Sequence, residues 1–238
     1  MRLVTITLWI LVGAALTGGV YWSFLITPES TIWSLAASAL LLLAAGFLLA
    51  LTASGALLGW QRGVSPSLFR AAAAGVPASI PAAIIAGLIW WAVGAATGRV
   101  TIYSGPINAW LITAVGWDDV SWLFTGISWL AVWLKGVVAP MLALALMAAI
   151  LYGGWREIAR TAWITRAIAP VPLATATLLF AALVAAPWIY LAPWRPGGLP
   201  ATSVELAFVI GKLAVTALLM ATGVALIIRQ ATLTVLKC

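Results

Sequence analysis

The residues able to do chemistry are few and stand far apart. Asp118 and Asp119 are the only adjacent carboxylates and follow Trp117. Paired carboxylates can hold Mg²⁺ for diphosphate chemistry. Membrane enzymes of that kind need a second acidic cluster, and the five acidic residues of the chain supply none. Neighbouring side chains also diverge by ~100° on a helix, so the pair is not preset to converge. Capping is the simpler role, because Asp118 can accept from the first turn of a helix that follows it.

The sequence contains no histidine. That removes Ser-His and Cys-His nucleophiles, HExxH metal helices, His-ligated haem and the usual zinc sites. The expectation is no enzyme: no catalytic residue, no metal ligand set, no evident cofactor, and neither haem nor zinc. Cys238 is the single cysteine and reads as a free thiol outside any lipidation pattern.

Two lysines carry the remaining interest, since an ionisable group inside a membrane is costly and points to function. Lys135 precedes Arg156 by 21 residues and is expected at the outer boundary. Lys212 precedes Arg229 by 17 residues, or ~25 Å of helix. Its stem can snorkel outward, and Glu205 stands seven residues earlier on the same face. A ligand counter-ion is the alternative for Lys212. Six spans instead of seven and the lack of a membrane carboxylate argue against a retinal Schiff base.

Tryptophan is abundant, at 15 residues. Eleven fall toward one side (Trp22, Trp33, Trp90, Trp91, Trp110, Trp117, Trp122, Trp129, Trp133, Trp188 and Trp194) and four toward the other (Trp9, Trp60, Trp155 and Trp163). An ordinary interfacial belt is more balanced. Trp122, Trp129 and Trp133 recur at helical spacing and share a face. Trp110, Trp117, Trp122, Trp129 and Trp133 are therefore the candidate apolar-ligand or interface residues. Two readings stand: an anchor seating the segment on the membrane, or an aromatic groove for a lipid, quinone or other flat apolar ligand.

The elements that position these residues follow from composition. Apolar residues make up 65% of the 238, and charged residues only 7%. So few charges cannot cover a water-soluble surface. The fold class is all-α, a polytopic transmembrane helix bundle forming one membrane domain over 1–238. A span needs ~20 apolar residues, which gives six: 3–25, 31–58, 71–98, about 134–154, 168–192 and 206–228. The first is too long, and too aromatic at its end, for a cleaved signal peptide.

The charges check the count. Arg2, Arg62, Arg70, Arg156, Arg160, Arg166, Arg229 and Lys237 fall on one side, against Arg99 and Arg195 on the other. The positive-inside rule then places both termini in the cytoplasm, and the compact loops point to a bacterial inner membrane. Arg62, Arg70, Arg156, Arg160 and Arg166 form a basic cytoplasmic patch that meets anionic headgroups or docks a cytosolic partner. The net charge of +7 is thereby assigned to topology, with no nucleic-acid partner.

Residues 99–133 fit no simple loop. Two short interfacial helices, at 107–117 and 120–133, are expected between spans 3 and 4. One long helix beginning at Ser121 is the alternative. Gly59-Trp60-Gln61-Arg62 and Gly154-Trp155-Arg156-Glu157 recur 95 residues apart, each 18 residues from its Gly-Trp to a Val-Pro. This is either a parallel duplication or the common chemistry of two inner turns.

None of the six spans, as bounded above, holds Asp, Glu, Asn or Gln, which argues against ion and proton carriers. Gly94 and Gly98 form a GxxxG for helix packing, and Pro187 is expected to kink span 5. Two functions remain. One is an accessory or assembly subunit packing against lipids, pigments, other membrane subunits or itself. The other is a small transporter or lipid-handling protein with the outer aromatic groove.

Overall fold

The structure, a computed structural model, describes residues 1–28, 31–63, 68–117, 120–194 and 202–236. Asp118 and Asp119 lie outside the described residues, as do Glu29, Arg195, Lys237 and Cys238. The described residues are helical, with no strand among them. Six helices are long and apolar enough to cross a membrane: α1 (Arg2–Ile26), α2 (Ile32–Arg62), α3 (Leu68–Val115), α4 (Ser121–Gly153), α5 (Pro170–Leu191) and α6 (Thr202–Leu236). They make the chain a multi-pass membrane protein.

The termini of these helices follow local chemistry. The Thr31 hydroxyl accepts from the Ser34 N–H at 3.1 Å, and the Ser34 hydroxyl accepts from the Thr31 N–H at 3.0 Å. This reciprocal cap starts α2. α2 and α4 stop at Gly63 (φ 83°) and Gly154 (φ 86°), in a left-handed region that only glycine enters cheaply.

The third and fourth spans are longer than expected. α3 runs through Arg99 and Pro106 to Val115, and α4 begins at Ser121 instead of near Leu134. The segments expected as separate helices at 107–117 and 120–133 are the ends of these two helices, and 121–153 is continuous. Counting back ~20 residues from an arginine assumes that a helix stops where hydrocarbon stops. Helix growth has no such limit: each added residue gains one hydrogen bond, and Pro106 removes a single donor. At ~1.5 Å per residue, the 48 residues of α3 extend ~72 Å and the 33 of α4 ~50 Å.

The two Gly-Trp turns are built differently. Trp60 lies within the last turn of α2, whereas Trp155 follows the end of α4 in a 3₁₀ turn, Trp155–Ala159. A short helix, Ala162–Ala167, follows only the second turn. α3 instead passes its Val76-Pro77 in a one-turn 3₁₀ segment.

Successive helices alternate in direction: Trp9, near the start of α1, meets Thr52, near the end of α2. The even-numbered helices therefore run parallel, and their C-terminal parts meet, Tyr152 of α4 with Leu57 of α2 and Trp60 of α2 with Ala225 of α6. The alternation gathers the arginine-bearing helix ends together, here called the arginine end. The main core sits in that half: Ile6 and Ile10, Ala56 and Leu57, Ala145 to Ile150, then Ala221, Ala225 and Ile228. α4 is central, with six consecutive buried residues from Ala145 to Ile150. A helix buried all round lies within its neighbours.

Glycine sets how closely these helices approach. A Cβ on Gly55 would stand 2.5 Å from the Trp9 ring, and one on Gly75 would stand 2.9 Å from Leu151. The opposite half is open. From Ser79 to Trp110 the only buried residue is Ala82, and residues 121–133 of α4 bury none.

Candidate functional site

The site is built around the first half of α4, where a proline upsets the helix. Residues Leu134–Val138 form a π turn, and the Ala139 N–H reaches back five residues to the Leu134 carbonyl. The next bond in that register would run from residue 140 to the Lys135 carbonyl. Pro140 has no N–H, so that carbonyl is left over. The Trp90 indole N–H of α3 donates to it at 3.2 Å. The Lys135 ammonium also lies 5.5 Å from the centroid of the Trp90 ring, a cation–π contact. Gly94, one turn along α3, gives it room: a Cβ there would sit 3.7 Å from Nζ. Lys135 is thus half-buried and held between α3 and α4.

Two residues back, the Trp133 indole N–H donates to the Thr177 hydroxyl of α5 at 2.9 Å. The Thr177 hydroxyl donates in turn to the Leu173 carbonyl at 2.8 Å. α5 contains two π turns, Phe180–Ala185 and Pro187–Leu191. The expected irregularity at Pro187 therefore appears as a change of helical register. Its physical origin is the same as at Pro140, a missing N–H.

Between these irregular stretches lies a groove of about 490 Å³. Trp129, Val132 and Trp133 of α4 form one wall. Phe180, Val184 and Trp188 of α5 form the other, with Met220 of α6 contributing. Thr177 is the one hydroxyl in the lining, and its hydrogen bonds are already made. The groove therefore offers shape and apolar contact rather than hydrogen bonding. Its size falls within the ~300–1,000 Å³ of small-molecule sites.

The adjacent face of α4 borders a second cleft, of about 450 Å³, with a different lining. Thr97, Thr101, Ser104 and Asn108 of α3 face Ser121, Phe124 and Ser128 of α4. The hydroxyls of Thr97, Thr101, Ser104 and Ser128 all donate to carbonyls of their own helices. What they present to the cleft is acceptor lone pairs.

The five candidate tryptophans are thus divided. Trp129 and Trp133 share the apolar groove. Trp122 packs on Trp117 instead, with ring centroids 5.5 Å apart. Trp110 is exposed and lines neither cavity. The partners missed from the sequence are Thr177, Phe180, Trp188 and Met220. Pro187, next to Trp188, was the available signal. The hydroxyl cleft was legible as Thr97, Thr101, Ser104 and Asn108, spaced four, three and four residues apart. A further role was also missed: four indole N–H groups tie helices in pairs. Trp9 joins α1 to α2, Trp60 joins α2 to α6, Trp90 joins α3 to α4, and Trp133 joins α4 to α5.

The other charged candidates are placed as follows. Lys212 donates to the Trp194 carbonyl at 2.9 Å, just past the end of α5, where a cation suits the helix dipole. Trp194 packs on Phe208 of α6. Glu205 is exposed in the first turn of α6. Gly98 is exposed, with nothing within 4 Å of its Cβ position. Arg62, Arg70, Arg156, Arg160 and Arg166 are all exposed at the arginine end. Arg160 pairs with Glu157 at 2.5 Å, the one ion pair among the described residues. Arg160 and Arg166 share a cleft of about 380 Å³ with Tyr152, Glu157 and Trp163.

No family model, no curated protein and no solved structure matches this chain.

Proposed function

We propose that this protein is a non-catalytic membrane protein that holds an apolar molecule, such as a lipid chain, in the groove between α4 and α5. The observation that carries the reading is the groove itself, walled by Trp129, Trp133 and Trp188, with its one hydroxyl, that of Thr177, already hydrogen-bonded. With the arginine end in the cytoplasm of a bacterial inner membrane, the groove opens mainly toward the outer leaflet. At ~1.5 Å per residue, Thr177 stands ~10 Å along α5 from Pro170, and Ile189 ~28 Å. The groove thus runs from about a third of the way across the ~30 Å of hydrocarbon to its outer boundary. Such a site suits lipid handling or small-molecule carriage, with membrane lipids as its first partners.

The test is lipid retention by the purified full chain, read by native mass spectrometry. Trp129→Ala, Trp133→Ala and Trp188→Ala combined are expected to cut retention of an added phosphatidylcholine by about tenfold or more. Each of these rings supplies large contact area in an apolar site. Unchanged retention overturns the groove.

A second reading, an accessory subunit, has its own observation. α3 and α4 extend beyond the ~30 Å of hydrocarbon and carry exposed Ile102, Tyr103, Trp110 and Trp122 there, with exposed Trp117 between the two helices in sequence. An apolar hairpin in that position calls for cover, from the outer interface or from another membrane subunit. Gentle extraction from native membranes followed by sizing discriminates between the two. A stoichiometric larger complex supports the subunit, and migration of the chain alone counts against it.

A further inference from the structure

At the arginine end, the two ends of the described chain meet. Arg2 opens α1 and Arg229 lies near the end of α6. Both line a pocket of about 280 Å³ with Trp60, Thr232 and Leu233. Arg229 is held: its guanidinium lies 5.5 Å from the centroid of the Trp60 ring, and the Trp60 N–H is anchored on the Ala225 carbonyl at 3.0 Å. Arg2 lies against the end of α2, where its Nη2 is 3.9 Å from the Cβ position of Gly63.

Among the described residues no carboxylate lines this pocket, and their one ion pair, Arg160–Glu157, belongs to a separate cleft. The Thr232 hydroxyl is buried and donates to the Ile228 carbonyl at 2.9 Å. The donors facing the pocket are therefore the two guanidinium forks. Two like charges beside an apolar wall repel each other, and an anion between them reverses the sign of that interaction. A guanidinium fork matches the spacing of phosphate oxygens. Trp60 and Leu233 supply apolar surface next to the charge.

We propose that Arg2 and Arg229 form a binding site for a phosphate-bearing anion, distinct from the groove at the opposite end. An anionic phospholipid places its phosphodiester between the guanidinium groups and its apolar part along Trp60 and Leu233. Free phosphate offers the same charge without the apolar part.

The test uses the full chain, delipidated in neutral detergent and examined by native mass spectrometry. Phosphatidylglycerol and phosphatidylcholine of the same acyl composition are added, with inorganic phosphate as competitor. The expected result is preferential retention of phosphatidylglycerol. Loss of each arginine should lower that preference about fivefold, in R2Q, in R229Q and additively in the double variant. R229K keeps the charge but loses the fork and the stacking on Trp60, and it too should lose preference. R99Q, outside the pocket, should keep it. Displacement by millimolar inorganic phosphate identifies phosphate itself as the ligand, and resistance to it identifies the lipid. Equal retention of the two lipids, or full preference in R229K and the double variant, overturns the site. Should the double variant fail to fold, R229K decides alone.

Discussion

The arginine half and the opposite half of this molecule are both apolar, yet the arginine half holds the larger core, and close packing in the other half is local, as where Gly136 meets Phe180. In the arginine half, Gly55 lies against Trp9, Gly75 against Leu151, and α4 is buried from Ala145 to Ile150. In the other half, Gly18, Gly19, Gly46, Gly87 and Gly98 have nothing within 4 Å of their Cβ positions. Lipid is as apolar as leucine, so burial alone gives membrane helices little reason to associate. The difference therefore comes from fit. Small residues facing a ring or a branched chain allow close contact, and the same small residues facing nothing do not. The open half is left with grooves, and there the Trp90 and Trp133 indole N–H groups tie helix to helix, as those of Trp9 and Trp60 do in the packed half.

The largest effect should come from emptying the packed half. Leu146→Ala, at a fully buried position, is expected to lower stability by about 2 kcal/mol or more, through the cavity it leaves. Leu88→Ala, on the lipid-facing part of α3, should change it by less than about 0.5 kcal/mol. Thermal unfolding in detergent measures both, and equal losses would break the comparison.

Overfilling should follow. A side chain at Gly55 runs into the Trp9 ring, so Gly55→Leu is expected to cost about 1–3 kcal/mol. Gly98→Leu should be near neutral by the same assay.

A smaller effect tests the ties across the open half. Trp133→Phe keeps the ring but removes the donor to Thr177, at an expected cost of about 1 kcal/mol. Thr177→Val should cost a similar amount, and the double variant little more than either single change, because both remove the same bond.

The smallest concerns Pro140. Pro140→Ala restores an N–H that competes with Trp90 for the Lys135 carbonyl. The indole signal of Trp90 in a ¹⁵N–¹H spectrum should shift toward that of an unbonded indole, with stability changing by no more than about 1 kcal/mol. A Trp90 signal that stays in place would show that the proline is not what frees the carbonyl.

Six helices, and their approximate places in the chain, were legible because hydropathy and charge act residue by residue. Their lengths were less so. The run from Arg99 to Trp133 was read as interfacial because helix length was equated with membrane thickness, and the polar residues of 97–108 hid a helix that continues through them. The grouping of Trp129 with Trp133 followed from helical spacing. The removal of Trp122 from that group did not, because Trp117, which it packs against, lies beyond the start of α4. Trp188 was visible only as one more outer tryptophan, since nothing local pairs α5 with α4.

By itself the sequence determined an all-helical, six-span chain with its bases gathered on one side, and it withheld the histidines and the buried acids that much chemistry needs. Those properties follow from composition and from periodicity along one chain. Only the tertiary structure decided which glycines are contacts, which tryptophans are ties, and that Trp129 and Trp133 share a groove with Trp188. The reason is physical. A leftover carbonyl acquires meaning from the donor that reaches it, and the donor of Trp90 comes from another helix 45 residues away. In the same way Arg2 and Arg229 stand at opposite ends of the sequence, and only the folded chain brings them into one pocket.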